Sequence, residues 1–131
     1  MTSPRLICAL PEVIHMIETR TQVTTLLNGL VVLTDPMPSM VSAFVGVWVD
    51  VGSRDEDLAS SGISHMLEHM AFKGTTRRSA RELSEVIEDV GAALNAYTGR
   101  DSTAYHVRTL GEHVPLAVEV LRASLNESKA T

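Results

Sequence analysis

The sequence predicts an α+β fold, a mainly antiparallel sheet with helices packed on one face. Three observations carry it. Asn28-Gly29 sits between two β-rich runs, Thr21–Leu27 and Leu30–Thr34, and signals a two-residue hairpin. Val41–Val51 alternates valine and alanine with Phe44, Gly46 and Trp48, which predicts a strand with two apolar faces, central and covered. Ser79-Ala80-Arg81-Glu82 is a capping box that opens a helix.

The remaining elements follow in order. Met1–Arg20 reads as an N-terminal extension, with a strand or helix around Val13–Ile17. Asp35–Ser39 carries two prolines and breaks the chain. Gly52–Leu58 is a polar loop, after which Ser60 or Ser61 is positioned to cap a helix running to about Phe72. On that helix Leu67 and either Met66 or Met70 are expected to point inward. The helix opened by Ser79 buries Leu83, Val86, Ile87 and Val90, and Gly91 ends it. Ala92–Thr98 and Ser102–Leu110 are strands joined by Gly99-Arg100-Asp101. Glu112 onward is helical, with Pro115 tolerated in the first turn and Leu116, Val120, Leu121 and Ala123 inward.

Composition describes about one small globular domain. The chain has 131 residues, 44% hydrophobic and 21% charged, with a net charge of −5. Arg77, Arg78 and Arg81 form a short basic cluster, read as a solvated helix entry, so no nucleic-acid partner is expected. No apolar run is long enough for a transmembrane helix, and no membrane association is expected. Met1–Glu12 lacks the pattern of a signal or transit peptide. Cys8 is the single cysteine, so no internal disulfide is possible. A cytoplasmic location of bacterial type is expected ahead of the mitochondrial matrix.

The chemistry lies in Ser60–Gly74, where His65, Glu68 and His69 spell H-x-x-E-H. On a helix, residues four apart lie on one face, so both imidazoles can reach one metal ion. Zinc suits them, binding histidine nitrogen at about 2.0–2.1 Å in tetrahedral geometry. Glu68, beside His69 and one turn from His65, can hold and deprotonate water at the metal, the apparatus for hydrolysing a peptide bond. The order is the inverzincin one.

These residues and their surroundings resemble the pitrilysin/insulinase family of zinc metallopeptidases, in the branch of the mitochondrial processing peptidase β-subunit and its bacterial relatives. Leu27–Val32 looks like that family's opening hairpin, and Val45–Arg54 like the strand before the zinc helix. Gly62–Gly74 is similar to the zinc helix itself. Val90–Thr98 and Arg100–Tyr105 look like the helix end and strands that follow. The likeness runs from about Thr21 to Leu125.

The resemblance implies a zinc metalloendopeptidase acting on unfolded peptides or presequences, with His65 and His69 as metal ligands and Glu68 as catalytic base. It also implies that Asn95, Ala96 and Tyr97 lie beside the metal site on a substrate-binding strand, with Phe72 lining a nearby pocket. Glu119 and Glu127 read as a solvated face, His106 as a strand-surface residue and His113 as a helix-start residue.

One departure stands out. The third ligand expected from the resemblance is a Glu about 75 residues after the second His, near about position 145, in an otherwise inverzincin-type site. The expectation is therefore an incomplete N-terminal domain, 21–131, that binds zinc weakly or not at all and is inactive alone. Its partners would be a peptide substrate and either a second copy or the remainder of the peptidase. Self-association is expected through a sheet edge or an uncovered Leu116, Val120 and Leu121 face. The alternative is a non-catalytic partner subunit or a self-associating module of the same fold.

Overall fold

A computed structural model describes residues 21–127. The N-terminal extension, with Cys8, His15 and the Val13–Ile17 element, lies outside the described residues. The chain divides into two compact units, one ending at Ser39 and the other beginning at Met40.

In the first unit, β1 (Gln22–Thr25) pairs antiparallel with β2 (Val31–Thr34), Gln22 opposite Thr34. The connection differs from the expected two-residue turn. Leu26 N–H donates to the Leu30 carbonyl, and Gly29 N–H to the Leu26 carbonyl. The loop is therefore Leu27-Asn28-Gly29. Gly29 alone takes a positive φ, +85°, while Asn28 does not. A two-residue type I′ turn needs positive φ at both central residues; a type I turn followed by one left-handed glycine needs it once.

The second unit is a three-stranded antiparallel sheet with three helices among the described residues. The strands are β3 (Ser42–Val49), β4 (Ala93–Thr98) and β5 (Thr103–Leu110), in the order β3-β5-β4. The helices are α1 (Ile63–Ala71), α2 (Ala80–Glu88) and α3 (Val114–Asn126). The central strand is thus β5, and β3 lies at an edge of this sheet, a correction to the sequence reading. An apolar run cannot by itself distinguish a strand covered on both faces from one whose second face is open.

Register sorts the sheet into two faces. Val45 lies opposite Val107, and Val107 opposite Leu94; Val47 lies opposite Tyr105, and Tyr105 opposite Ala96. These residues share the face that packs with Ala71, Leu83, Ile87, Ala117, Val120 and Leu121 to form the core. All three helices therefore cover one face. The other face carries Phe44, Trp48, His106 and Tyr97. Phe44 stacks on His106 with centroids 5.0 Å apart, and Trp48 Nε1 donates to the Tyr97 hydroxyl at 3.4 Å. Phe44, Trp48 and Tyr97 remain about half exposed. Trp48 and Tyr97 both lie opposite Ala104, which is fully buried. A Cβ at Gly46 would meet the Trp48 ring at 2.6 Å, so the indole lies where any side chain at that position would stand.

The helix α2 forms as its sequence predicts. Ser79 Oγ accepts from Glu82 N–H, and the Glu82 carboxylate accepts from Ser79 N–H at 2.7 Å. Leu83 and Ile87 are buried. Gly91, at φ +65°, closes the helix: its N–H bonds to the Glu88 carbonyl and that of Ala92 to the Ile87 carbonyl, the paired bonds of a Schellman end. In α3, Ala117, Val120, Leu121 and Ser124 are buried and Leu116 packs against the core. The apolar face that the sequence reading left uncovered is thus the core face of this helix.

Candidate metal centre on the first helix

Two side-chain nitrogens on α1 converge at the surface. His65 Nε2 and His69 Nε2 are 3.0 Å apart, with the rings edge to face and centroids 4.5 Å apart. Two nitrogens on a tetrahedral ion at about 2.0–2.1 Å would sit about 3.3 Å apart, so a small rotation of either ring admits a metal. The donor set therefore fits as two ligands of a zinc ion. Among the described residues, no group of three or more His, Cys, Asp or Glu could hold a metal ion.

Glu68 is placed differently from its neighbours. Its side chain is only 14% exposed, against 66% for His65. Its Oε2 accepts a hydrogen bond from Thr98 Oγ1 at 2.5 Å and lies 3.7 Å from His65 Nδ1. The phenol of Tyr105 is raised above its ordinary range, chiefly by burial and further by the negative charge of Glu68. The carboxylate is thus held between α1 and the sheet while the two imidazoles stand out.

The local reason is the inward stripe of α1. Ser64 and Ala71 are buried and Glu68 half-buried, at spacings of four and three that keep one helix face. Met66 and Leu67 are exposed and Met70 half-buried. The expectation that Leu67 and Met66 point inward is therefore corrected. The core under α1 is small-residue and polar because Ser64, Glu68 and Ala71 form its inward side.

The cap of α1 is also corrected. The N-cap is Gly62, at φ +90°, with no side-chain cap. Ser60 instead belongs to a turn with Asp57, donating its backbone and hydroxyl hydrogens to Asp57 Oδ1. The free N–H groups of Gly62 and Ser64 donate to Glu56, at 2.6 and 2.9 Å. These bonds, with one from the Ser64 hydroxyl, hold the Glu56 carboxyl below its ordinary value of 4.5. A carboxylate at a helix N-terminus also meets the positive end of the dipole.

The other sequence candidates are distributed around this centre. Thr98, Ala96 and Leu94 share the helix-facing side of β4, while Asn95 and Tyr97 lie on the opposite side. Asn95 Oδ1 accepts the Ala96 N–H at 2.8 Å. Phe72 ends α1 and packs against the core, its ring at 6.1 Å and edge to face with Tyr105. Glu119 pairs with Arg78 at 3.1 Å, and Glu127 accepts from Thr76 and lies 3.5 Å from Arg77, so both carboxylates have partners that explain them. Sequence reading missed Thr98 and Glu56. The signal for Thr98 was its two-residue step from Ala96, which put it on the helix-facing side; nothing in the pattern marked Glu56.

Comparison with known proteins settles the family. Residues 31–131 match the family described as Insulinase (Peptidase family M16). The chain belongs to the M16 insulinase family. The sequence is 48% identical over 109 residues to the mitochondrial-processing peptidase subunit beta of Lentinula edodes, covering 83% of this chain and 23% of that one. It is 47% identical over 98 residues to an uncharacterized zinc protease of Streptomyces coelicolor, covering 75% and 21%. The fold is similar to the crystal structure of a protease from Helicobacter pylori, with a TM-score of 0.80 and 32% identity, covering 85% of this chain and 27% of that one. The chain thus spans between a fifth and a quarter of the length of these two relatives. The sequence resemblance, the α+β fold and the zinc-protease character of the family agree.

Proposed function

We propose that this chain carries the metal-holding and general-base part of a zinc-dependent metalloendopeptidase acting on unfolded peptides or presequences. The observation supporting it is the pair of exposed imidazole nitrogens, 3.0 Å apart, beside a shielded carboxylate on the same helix. On this reading His65 and His69 supply two zinc ligands and Glu68 is the catalytic residue. Zinc bound there would polarise the scissile carbonyl and make water more acidic. Glu68 accepts the proton of the attacking water and passes it to the departing amine, so the added water is divided between the two products.

The substrate is an extended peptide laid along β4. That strand has one neighbour among the described residues, and such an edge offers backbone groups for strand addition. Asn95 and Ala96 take backbone contacts, its Ala96 N–H being met meanwhile by the Asn95 side chain; Tyr97 and Phe72 contact side chains. Residues 21–131 form the peptidase-domain part, preceded by an extension at 1–20.

The third ligand comes from another segment, so the chain alone binds zinc weakly and does not turn over peptide. Its partner is a second copy or a further part of the peptidase. The face carrying Phe44, Trp48 and Tyr97, rather than α3, is the apolar surface available for that contact. The setting is cytoplasmic.

Calorimetric titration with zinc tests the reading. Weak binding that disappears in the His65→Ala, His69→Ala double variant is the expected result. Binding that persists unchanged in the double variant would remove the site. Peptide hydrolysis by the isolated chain, abolished in Glu68→Gln, would overturn its inactivity while retaining the base.

A further inference from the structure

We infer that Thr98 is the positioning residue for the Glu68 carboxylate. The inference rests on the peptidase reading above and deepens it. Glu68 has two oxygens and they are not equivalent. Oε2 is bonded by the Thr98 hydroxyl at 2.5 Å, and it is also the oxygen nearest His65 Nδ1. Oε1 has no hydrogen-bond partner among the described residues. A carboxylate held by one oxygen presents the other in a defined direction, and a general base acts only when it is within reach of the proton it takes.

The local design suits this task. Thr98 ends β4, opposite Thr103, and stands on the side of the sheet that α1 covers. Its hydroxyl has a single proton to donate. The Ser64 carbonyl, one helical turn before Glu68, lies at 3.5 Å, the limit of a hydrogen bond, so the closer carboxylate takes that proton. As a β-branched residue, Thr98 has a restricted χ1, which keeps the hydroxyl aimed once the strand is set. The bond also ties α1 to β4 across thirty residues of sequence. The carboxylate, rather than the imidazoles, is thus the group of the motif that the sheet holds directly.

A double-mutant cycle decides whether the contact exists in solution. Thr98→Val, Glu68→Ala and the double variant are unfolded thermally in the 131-residue chain. The expected result is that Thr98→Val lowers the midpoint in the parent but little or not at all when Glu68 is already alanine, and that Thr98→Ser restores the parent behaviour. Equal losses in both backgrounds would overturn the inference. Zinc titration of Thr98→Val is expected to match the parent, since neither imidazole is touched; this arm separates failure of the base's positioning from failure of the metal site. In an assembly that turns over peptide, Thr98→Val lowers kcat about 10-fold with KM unchanged, by analogy with other outer-shell partners, and Thr98→Ser recovers it. A KM change with kcat intact would also overturn the inference.

Discussion

The helices α1 and α2 are equal in length, nine residues each, and built on opposite principles. α2 contains its own instructions: Ser79 and Glu82 close its start, Gly91 closes its end, and Leu83 and Ile87 face the core. α1 contains almost none. It starts at a glycine, its free N–H groups are met by Glu56 from the preceding loop, and its inward side is Ser64, Glu68 and Ala71. The difference teaches how a helix with a polar inward side is held in place. A stripe that must hold a carboxylate against a sheet cannot also be an apolar stripe, so the stability of α1 is supplied by neighbours.

Five substitutions break or sharpen that contrast, beginning with the largest effect. Leu83→Ala empties a nearly fully buried position in α2 and should cost about 2–5 kcal/mol, read by denaturant unfolding. Should it cost no more than a surface change, α2 would not anchor the core. Ser79→Ala removes the reciprocal cap of the same helix, with an expected loss of about 1 kcal/mol in the same assay. A much smaller loss would show that the capping box is less important than packing.

The third substitution addresses the borrowed cap of α1. Glu56 has a carboxyl held below its ordinary value in the folded chain by the Gly62 and Ser64 N–H groups. A depressed folded value means the contribution is present at neutral pH and lost as pH falls from the ordinary carboxylate value through the lowered one. Glu56→Ala should therefore be less stable than the parent at neutral pH, by less than the loss of the Ser79 cap. The two should converge as pH falls below 4.5. A gap independent of pH would mean the carboxylate charge is not what caps α1. The smallest effect is expected from Met66→Gln and Leu67→Gln, whose side chains are exposed; each should change stability within about 0.5 kcal/mol. A loss several times larger in thermal unfolding would restore these residues to the core.

The sheet repeats the lesson. The strands beginning at Val41, Ala92 and Ser102 were legible because alternation and turn residues are local signals. Their order was not. The run from Val41 to Val51 is apolar on both sides, yet β3 is an edge strand and β5 is central, with Phe44 and Trp48 left half exposed. The pairing of β3 with β5 joins segments far apart in sequence, and no periodicity within one strand encodes it. The same holds for the Asn28-Gly29 turn, whose residues suit two loop lengths and whose strands decide between them.

What the sequence by itself determined is what nearest neighbours decide: the strands and helices as elements, the capping box and glycine end of α2, and the one-face spacing of His65 and His69. That spacing follows because helical geometry carries a four-residue step to the same side without help, and Glu68 stands next to His69 and one turn from His65. Only the tertiary structure decided that Glu68 turns inward to Thr98 and that Glu56 caps α1. Each joins side chains or backbone from separate elements, and an N–H or hydroxyl partner so supplied depends on how the chain closes in space rather than on its local pattern.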